Sequence, residues 1–381
     1  MIKYKIFLLI SAFALFASCI SIKTVSDAYE VIEVDNEVGQ FNDTTYFRDF
    51  KMVCMENNPK YVLKDIGRII DIKDTLYILN RGRDEVLVID KEGNYIREIR
   101  KLGRGHGEYI QLIDFAYDES TDELLFLIAP TSILRYKRDG SFVSKQPLTE
   151  YYSDLSCDGK YIYLSRHTYI EKTHAEYNID AISLDDGKTC HILSFDTEYA
   201  PFCSLGNTIF NTCNTISFVR KFDTNIYKIN NGDITFHSQI NIGDKQLKPK
   251  TNDELYDCSE LTNICIQKKK IYGFSQVVHY GKFLMFSSNI WDIFIKNGKS
   301  LSNYSMMKNT KFNIPLKMFL PIEGMADYKV CFVMQQSEIN SLKHLLKSNS
   351  NLRVKTHPDF VKTIERLPEE TNPILFLYKI K

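Results

Sequence analysis

The sequence predicts an all-β chain, a six-bladed β-propeller of four-stranded blades with a small helical insertion in the last blade. Three observations carry that expectation. Runs rich in β-formers at 86–89, 133–136, 181–184, 226–229 and 293–295 each enter a polar turn closed by one glycine: Gly93, Gly140, Gly187, Gly232 and Gly298. Those glycines lie 47, 47, 45 and 66 residues apart, and a period in the mid-forties built of hairpins is the length of one four-stranded blade. Aromatic residues make up 13% of the chain, with 23 Tyr and 24 Phe, which suits pleated strands better than helices.

Each blade can be traced from its turns. Blade one reads as runs at 62–72, 75–79, 85–89 and 95–99, and blade two as 110–117, 123–128, 132–137 and 141–145. Blade three takes 154–156, 161–165, 177–184 and 189–194. Blade four is less regular, with 216–220, 225–229 and 234–239, and blade five takes 270–278, 283–287, 291–295 and a weak outer run at 301–306. In the sixth unit a strand at 328–335 precedes a helical spacing of Ile339, Leu342, Leu345 and Leu346. A second short helix follows at 359–366, with Pro358 in its first turn, and the chain ends on a strand at 372–380. That blade is one strand short, and residues 51–56 are expected to supply it, closing the ring with strands from both chain ends.

The N-terminus divides from the fold. Lys3 and Lys5 precede an apolar run from Ile6 to Phe16 that ends Ala17-Ser18-Cys19, too short for a spanning helix, which takes about 20 apolar residues. The run resembles a bacterial lipoprotein signal. Residues 1–18 therefore read as a signal peptide, Cys19 as the lipidated first residue, 19–50 as a polar tether with a short strand pattern at 31–34, and 51–381 as the propeller. The expected location is the outer membrane of the cell envelope, on a lipid anchor facing the periplasm or the surface. Lys+Arg and Asp+Glu are equal at 48 each, which gives no electrostatic case for nucleic acid. An export signal permits disulfides. No metal-type cysteine spacing occurs, so the thiols are expected to be mostly free and buried, with Cys203–Cys213 and Cys258–Cys265 as the local pairs to check.

The segment Leu102-Gly103-Arg104-Gly105-His106-Gly107-Glu108-Tyr109 resembles the inter-blade link of NHL-repeat propellers. With Asp114 after it and Asn372-Pro373-Ile374-Leu375-Phe376 near the end, it is similar to the six-bladed propeller lipoproteins of Bacteroides-type bacteria. The resemblance implies a fold and an envelope location and carries no shared activity. As a nucleotide loop the glycine run fails, because a β-rich segment rather than a helix follows it and no Walker lysine is present.

No catalytic motif is present, so catalytic residues, metal and cofactor are all expected to be none. The leading function is a non-enzymatic binding or scaffold module for a peptide, glycan or protein partner, working as a monomer. The face that carries the loops between second and third strands together with the glycine-rich crossover is expected to gather Arg81, Arg104, His106, Arg166, Arg220 and the only tryptophan, Trp291. Guanidinium groups there would take carboxylates and the indole a sugar ring. The alternative is a metal-dependent lyase or hydrolase in the central channel, drawing on Asp71, His106, Glu108, Asp114, His167 and His174.

Overall fold

In the computed structural model, residues 29–56, 61–166, 177–195, 205–248, 257–324 and 327–381 are described. The chain folds into four-stranded antiparallel ladders, of which the described residues form six. Ladder one is Ile66–Ile72, Thr75–Asn80, Glu85–Asp90 and Tyr95–Ile99. Ladder two is Gln111–Asp118, Glu123–Ala129, Ser132–Lys137 and Phe142–Pro147. Ladder three is Asp154–Cys157, Tyr161–Ser165, Tyr177–Ser183 and Thr189–Ser194. Ladder four is Ile209–Thr212, Thr215–Phe218, Asn225–Asn230 and Asp233–Asn241. Ladder five is Phe274–Tyr280, Phe283–Ser288, Ile293–Asn297 and Ser300–Tyr304.

Ladder six draws on both chain ends. Phe319–Gly324, Val330–Met334 and Ile374–Ile380 are completed by Phe47–Cys54, which runs antiparallel to the C-terminal strand with Val53 opposite Leu375. The N-terminal strand expected at 51–56 is thus present, four residues longer at its start. Asn372 ties the same two ends together: its Oδ1 accepts from the Leu63 amide at 2.8 Å and its Nδ2 donates to the Glu56 carbonyl at 3.2 Å. That double bond to backbone is the physical use of the asparagine in the C-terminal motif.

Burial falls from the first strand of a ladder to the fourth. Every residue of Ile66–Ile72 is buried, whereas in Tyr95–Ile99 only Ile99 is. A strand covered on both faces needs a near-continuous apolar run, and an outer strand does not. All five turn glycines read from the sequence join third to fourth strands and have positive φ, from 70° to 93°, a region where a side chain is strained.

Apolar clusters fill the spaces between ladders. One joins Leu79 and Val88 of ladder one to Phe115 and Phe126 of ladder two, and another joins Leu125 of ladder two to Leu155 and Ile162 of ladder three. Tyr163 and Ile179 of ladder three pack on Ile209 and Phe218 of ladder four, and Phe210 and Ile226 on Phe274 and Phe286 of ladder five. Val278 and Met285 pack on Phe332 and Phe376 of ladder six. The last cluster joins ladder six to ladder one, through Ile322, Cys331 and Leu375 against Ile69, Leu76 and Leu87.

Several elements depart from the sequence reading. Residues 29–50, read as tether, are largely folded. Tyr29–Val38 is a strand that pairs in parallel first with Asp233–Asn241 and then with Ser300–Tyr304, stitching the outer edges of ladders four and five. Phe41–Asn42 joins Met307–Asn309 and Ile314–Leu316 in a small three-stranded sheet. Ile209–Thr212 and Phe319–Gly324, each a short innermost strand, supply the first strands that the sequence reading lacked, and the helix Cys258–Lys268 precedes ladder five. The expected helices stand as Gln336–Ser348 and Pro358–Arg366, with Ser350–Lys355 between them. Ile339, Leu346, Phe360 and Ile364 dock this insertion on the cluster between ladders five and six. Cys54, Cys157, Cys190, Cys213 and Cys331 are free thiols. Cys203 and the Cys258 side chain lie outside the described residues, so neither local pair is described in full.

Candidate functional site

First strands from five ladders converge on one buried polar network. Arg68 of ladder one makes a bidentate pair with Asp114 of ladder two, at 3.0 and 2.8 Å. Its other nitrogen bonds Glu323 of ladder six, and Nη2 also donates to the Ile209 carbonyl of ladder four at 3.1 Å. The Leu155 amide of ladder three donates to Asp114 at 3.1 Å, and Asp154 beside it accepts from the Thr208 amide and hydroxyl at 3.0 and 2.8 Å. The three ionic side chains are nearly sealed from solvent. Such a network is costly unless every member is satisfied. Burial raises the Asp114 carboxyl against the pull of Arg68. Burial likewise pushes Glu323 up to about 7, opposed by Arg68 and reinforced by Asp114.

A cavity of about 550 Å³ opens beside this network at the end of the ladders that carries the first-to-second and third-to-fourth strand turns. Its wall comes from ladders one, two, three, four and six, including Asp71, Tyr117, Ser156, Asn211 and Glu323. Strand alternation explains the floor. Leu155 and Cys157 point into the apolar cluster with ladder two, so Asp154 and Ser156 face the other way, toward ladder four. Ser156 is fully buried, and its hydroxyl has no hydrogen-bond partner among the described residues. Closeness at the rim requires glycine. Gly324 has φ of +96°, and a Cβ there would stand 2.3 Å from the Asp71 carbonyl oxygen, where ladder six runs parallel to ladder one.

The carboxylates of the cavity are held. Asp71 is ion-paired to Lys91 at 2.8 Å, and Asp74 to the same ammonium at 2.6 Å. Burial raises the Asp71 carboxyl against Lys91. Asp158 accepts from the Tyr163 hydroxyl at 2.7 Å and from the Lys160 and Tyr161 amides.

The residues expected to form a cationic rim lie at the opposite end and do not form one exposed surface. Arg166 and Arg220 are buried. Arg166 bonds Asp180 and lies 4.4 Å over the Tyr152 ring, while Arg220 bonds Asp223 and Tyr227. The structure does bring the two together: Asn178 accepts from Arg220 at 3.3 Å and donates to the Arg166 carbonyl at 3.4 Å. Guanidiniums this deep are engaged by internal carboxylates, and Arg166 also lines a second cavity of about 510 Å³ with Tyr152, Asp180 and His191. Arg81 is half-buried and donates to Asn207. Arg104 and His106 are exposed on the glycine-rich loop, His106 edge-on to Phe142 at 4.6 Å. Trp291 is 59% exposed, in a tight turn with φ of +65°.

Of the metal candidates, Asp114 belongs to the Arg68 network and Asp71 to the cavity wall, whereas Glu108 caps the Gly105 amide at 2.7 Å. His167 and His174 lie outside the described residues. Among the described residues, no three His, Cys, Asp or Glu side chains are grouped so as to hold a metal ion. Sequence reasoning missed Arg68, Ser156 and Glu323. The available signal was a single charged residue inside an otherwise apolar first strand, as in Ile66-Gly67-Arg68-Ile69-Ile70.

No curated protein matches the chain. A Bacteroides fragilis protein to which export is ascribed shares the fold, with a TM-score of 0.70 at 16% identity, over 93% of this chain and 100% of that one. A Bacteroides vulgatus member of the DUF4221 family aligns with a TM-score of 0.50 at 11% identity, over 88% of this chain and 97% of that one. No described helix is long and apolar enough to cross a membrane. Residues 29–379, which span the six ladders and their stitching strand, match the model of a domain of unknown function, and the chain belongs to that DUF4934 family.

Proposed function

We propose that the protein is a six-bladed propeller of the cell envelope, anchored through lipidated Cys19, that binds a small ligand or a projecting chain segment in its axial cavity. The propeller reading is supported by six ladders with an apolar cluster between each successive pair, the sixth with the first included. The envelope reading is supported by the apolar run ending at Cys19 and by the export ascribed to the Bacteroides fragilis relative. The observation that carries the binding reading is the cavity itself: about 550 Å³, within the range of small-molecule sites, with a buried, unpartnered hydroxyl on its floor. A polar group buried without a partner costs free energy, and a ligand that bonds it recovers that cost.

The test is native mass spectrometry of the protein recovered from the envelope fraction of its own cells. The wild type is expected to carry a bound species, and Ser156→Leu, which fills the floor, is expected to lose it while still unfolding cooperatively. Equal recovery from both would overturn the cavity as the site. Metabolic labelling with a palmitate analogue is expected to mark the wild type and not Cys19→Ala, and labelling of both would remove the anchor.

A further inference from the structure

We propose that the axial cavity takes a neutral, polyhydroxylated ligand, a sugar unit, an assignment that rests on reading this cavity as the binding site. Charge argues against an anionic ligand. Asp71 and Asp74 share Lys91, Glu323 is paired with Arg68, and Lys73 approaches Asp122 at 3.4 Å. Exposed Glu119 and Lys160 oppose one another in sign. Asp158 adds a further carboxylate, so acidic groups outnumber ammonium groups on the wall and an anion entering it would be repelled, while the held carboxylates can still accept from hydroxyl groups.

Uncharged groups that both donate and accept make up the rest of the polar wall: Ser156, Asn211, Asn214, Asn230 and Asn231. Asn211 already donates through Nδ2 to the Cys157 carbonyl at 2.7 Å, which directs its amide. An asparagine amide presents one donor and one acceptor side by side, the pattern that adjacent sugar hydroxyls match. The Ser156 hydroxyl adds a further group able to do either. Sugars also carry an apolar face, and the cavity offers one. Tyr117, half-buried at the rim, packs on the cluster between ladders one and two and has its hydroxyl committed to Asp122 at 2.6 Å, so the uncovered part of its ring is left as a stacking surface. Ile70, Ala116, Ile216 and Ile229 line the remainder.

Titration calorimetry on the purified full-length protein tests the assignment. The probes are glucose, galactose, mannose, N-acetylglucosamine, lactose and cellobiose as neutral sugars, with putrescine as a cation and citrate as an anion. At least one neutral sugar is expected to bind saturably. Ser156→Ala and Tyr117→Ala are each expected to weaken it about threefold to tenfold, the range of one net hydrogen bond or stacking contact. Ser156→Ala removes a hydroxyl that has no partner in the free protein, so its thermal midpoint is expected to equal or exceed that of the wild type, which separates lost binding from lost fold. Binding of putrescine or citrate alone, weakened by the same substitutions, overturns the sugar and keeps the cavity. Sugar binding indifferent to both substitutions overturns the cavity as its site, and binding of no sugar overturns the proposal.

Discussion

At the residue scale, the arginines of this protein divide by burial rather than by position in a loop. Arg166 gives its guanidinium to Asp180, the Tyr152 hydroxyl and the Tyr177 carbonyl. Truncating it leaves buried Asp180 with only the Tyr152 hydroxyl and the His191 ring, at 2.6 and 2.7 Å, so Arg166→Ala is expected to cost up to about 3–5 kcal/mol in urea unfolding. Arg104, exposed on its loop, is expected to change stability by less than about 0.5 kcal/mol as Arg104→Ala. Equal effects would show that the buried pair contributes no more than a solvated charge.

Glu323 sets a pH dependence. Its folded carboxyl titrates at about 7 against an ordinary 4.5, because burial outweighs Arg68. Between those values the folded state holds the proton that the unfolded chain releases, so this contribution is full below about 4.5 and is lost as pH rises through 7. Arg68, Asp114 and the Asn211 backbone face the group, and Asp114 is raised in the same sense. His279 acts oppositely over its own range, since burial, with Lys228 and Lys296, pushes it down to about 4. The diagnostic is therefore a difference. From pH 5 to pH 8 the wild type is expected to lose about 1–3 kcal/mol relative to Glu323→Gln. Parallel pH profiles would place the proton elsewhere.

At the element scale, the two N-terminal strands do different jobs. Phe47–Cys54 is the fourth strand of ladder six, whereas Tyr29–Val38 covers two edges that already belong to complete ladders. Ile32, buried in the cluster between ladders four and five, is the main apolar anchor of the earlier strand. Deleting residues up to 38 is expected to leave a folded protein less stable by at least about 2–5 kcal/mol, the cost of emptying one buried isoleucine site. Deleting residues up to 56 removes the closing strand as well and is expected to abolish cooperative unfolding. Identical thermal midpoints for both truncations and the full chain would refute closure by the N-terminus.

Taken as a whole molecule, local pattern and long-range assembly contributed different things. Turn chemistry and the alternation of strand residues are local, so the hairpins at Gly93, Gly140, Gly187, Gly232 and Gly298, the pairing of both chain ends and the two main insertion helices were legible from the sequence alone. The short first strands at Ile209–Thr212 and Phe319–Gly324 were not, because four to six residues with polar members give a weak period, and their burial comes from neighbours far away in the chain. The candidate site was hidden for the same reason. Arg68 meets Asp114 and Glu323 across separations of 46 and 255 residues, and Ser156 faces a cavity walled by five ladders. Which arginines lie exposed was equally a tertiary matter: a loop position sets where a guanidinium starts, and only the packed neighbours decide whether a carboxylate awaits it. Local pattern is enough for a repeated β architecture with joined ends, while the place where polar groups converge depends on packing between distant segments, because convergence is a property of strands brought side by side.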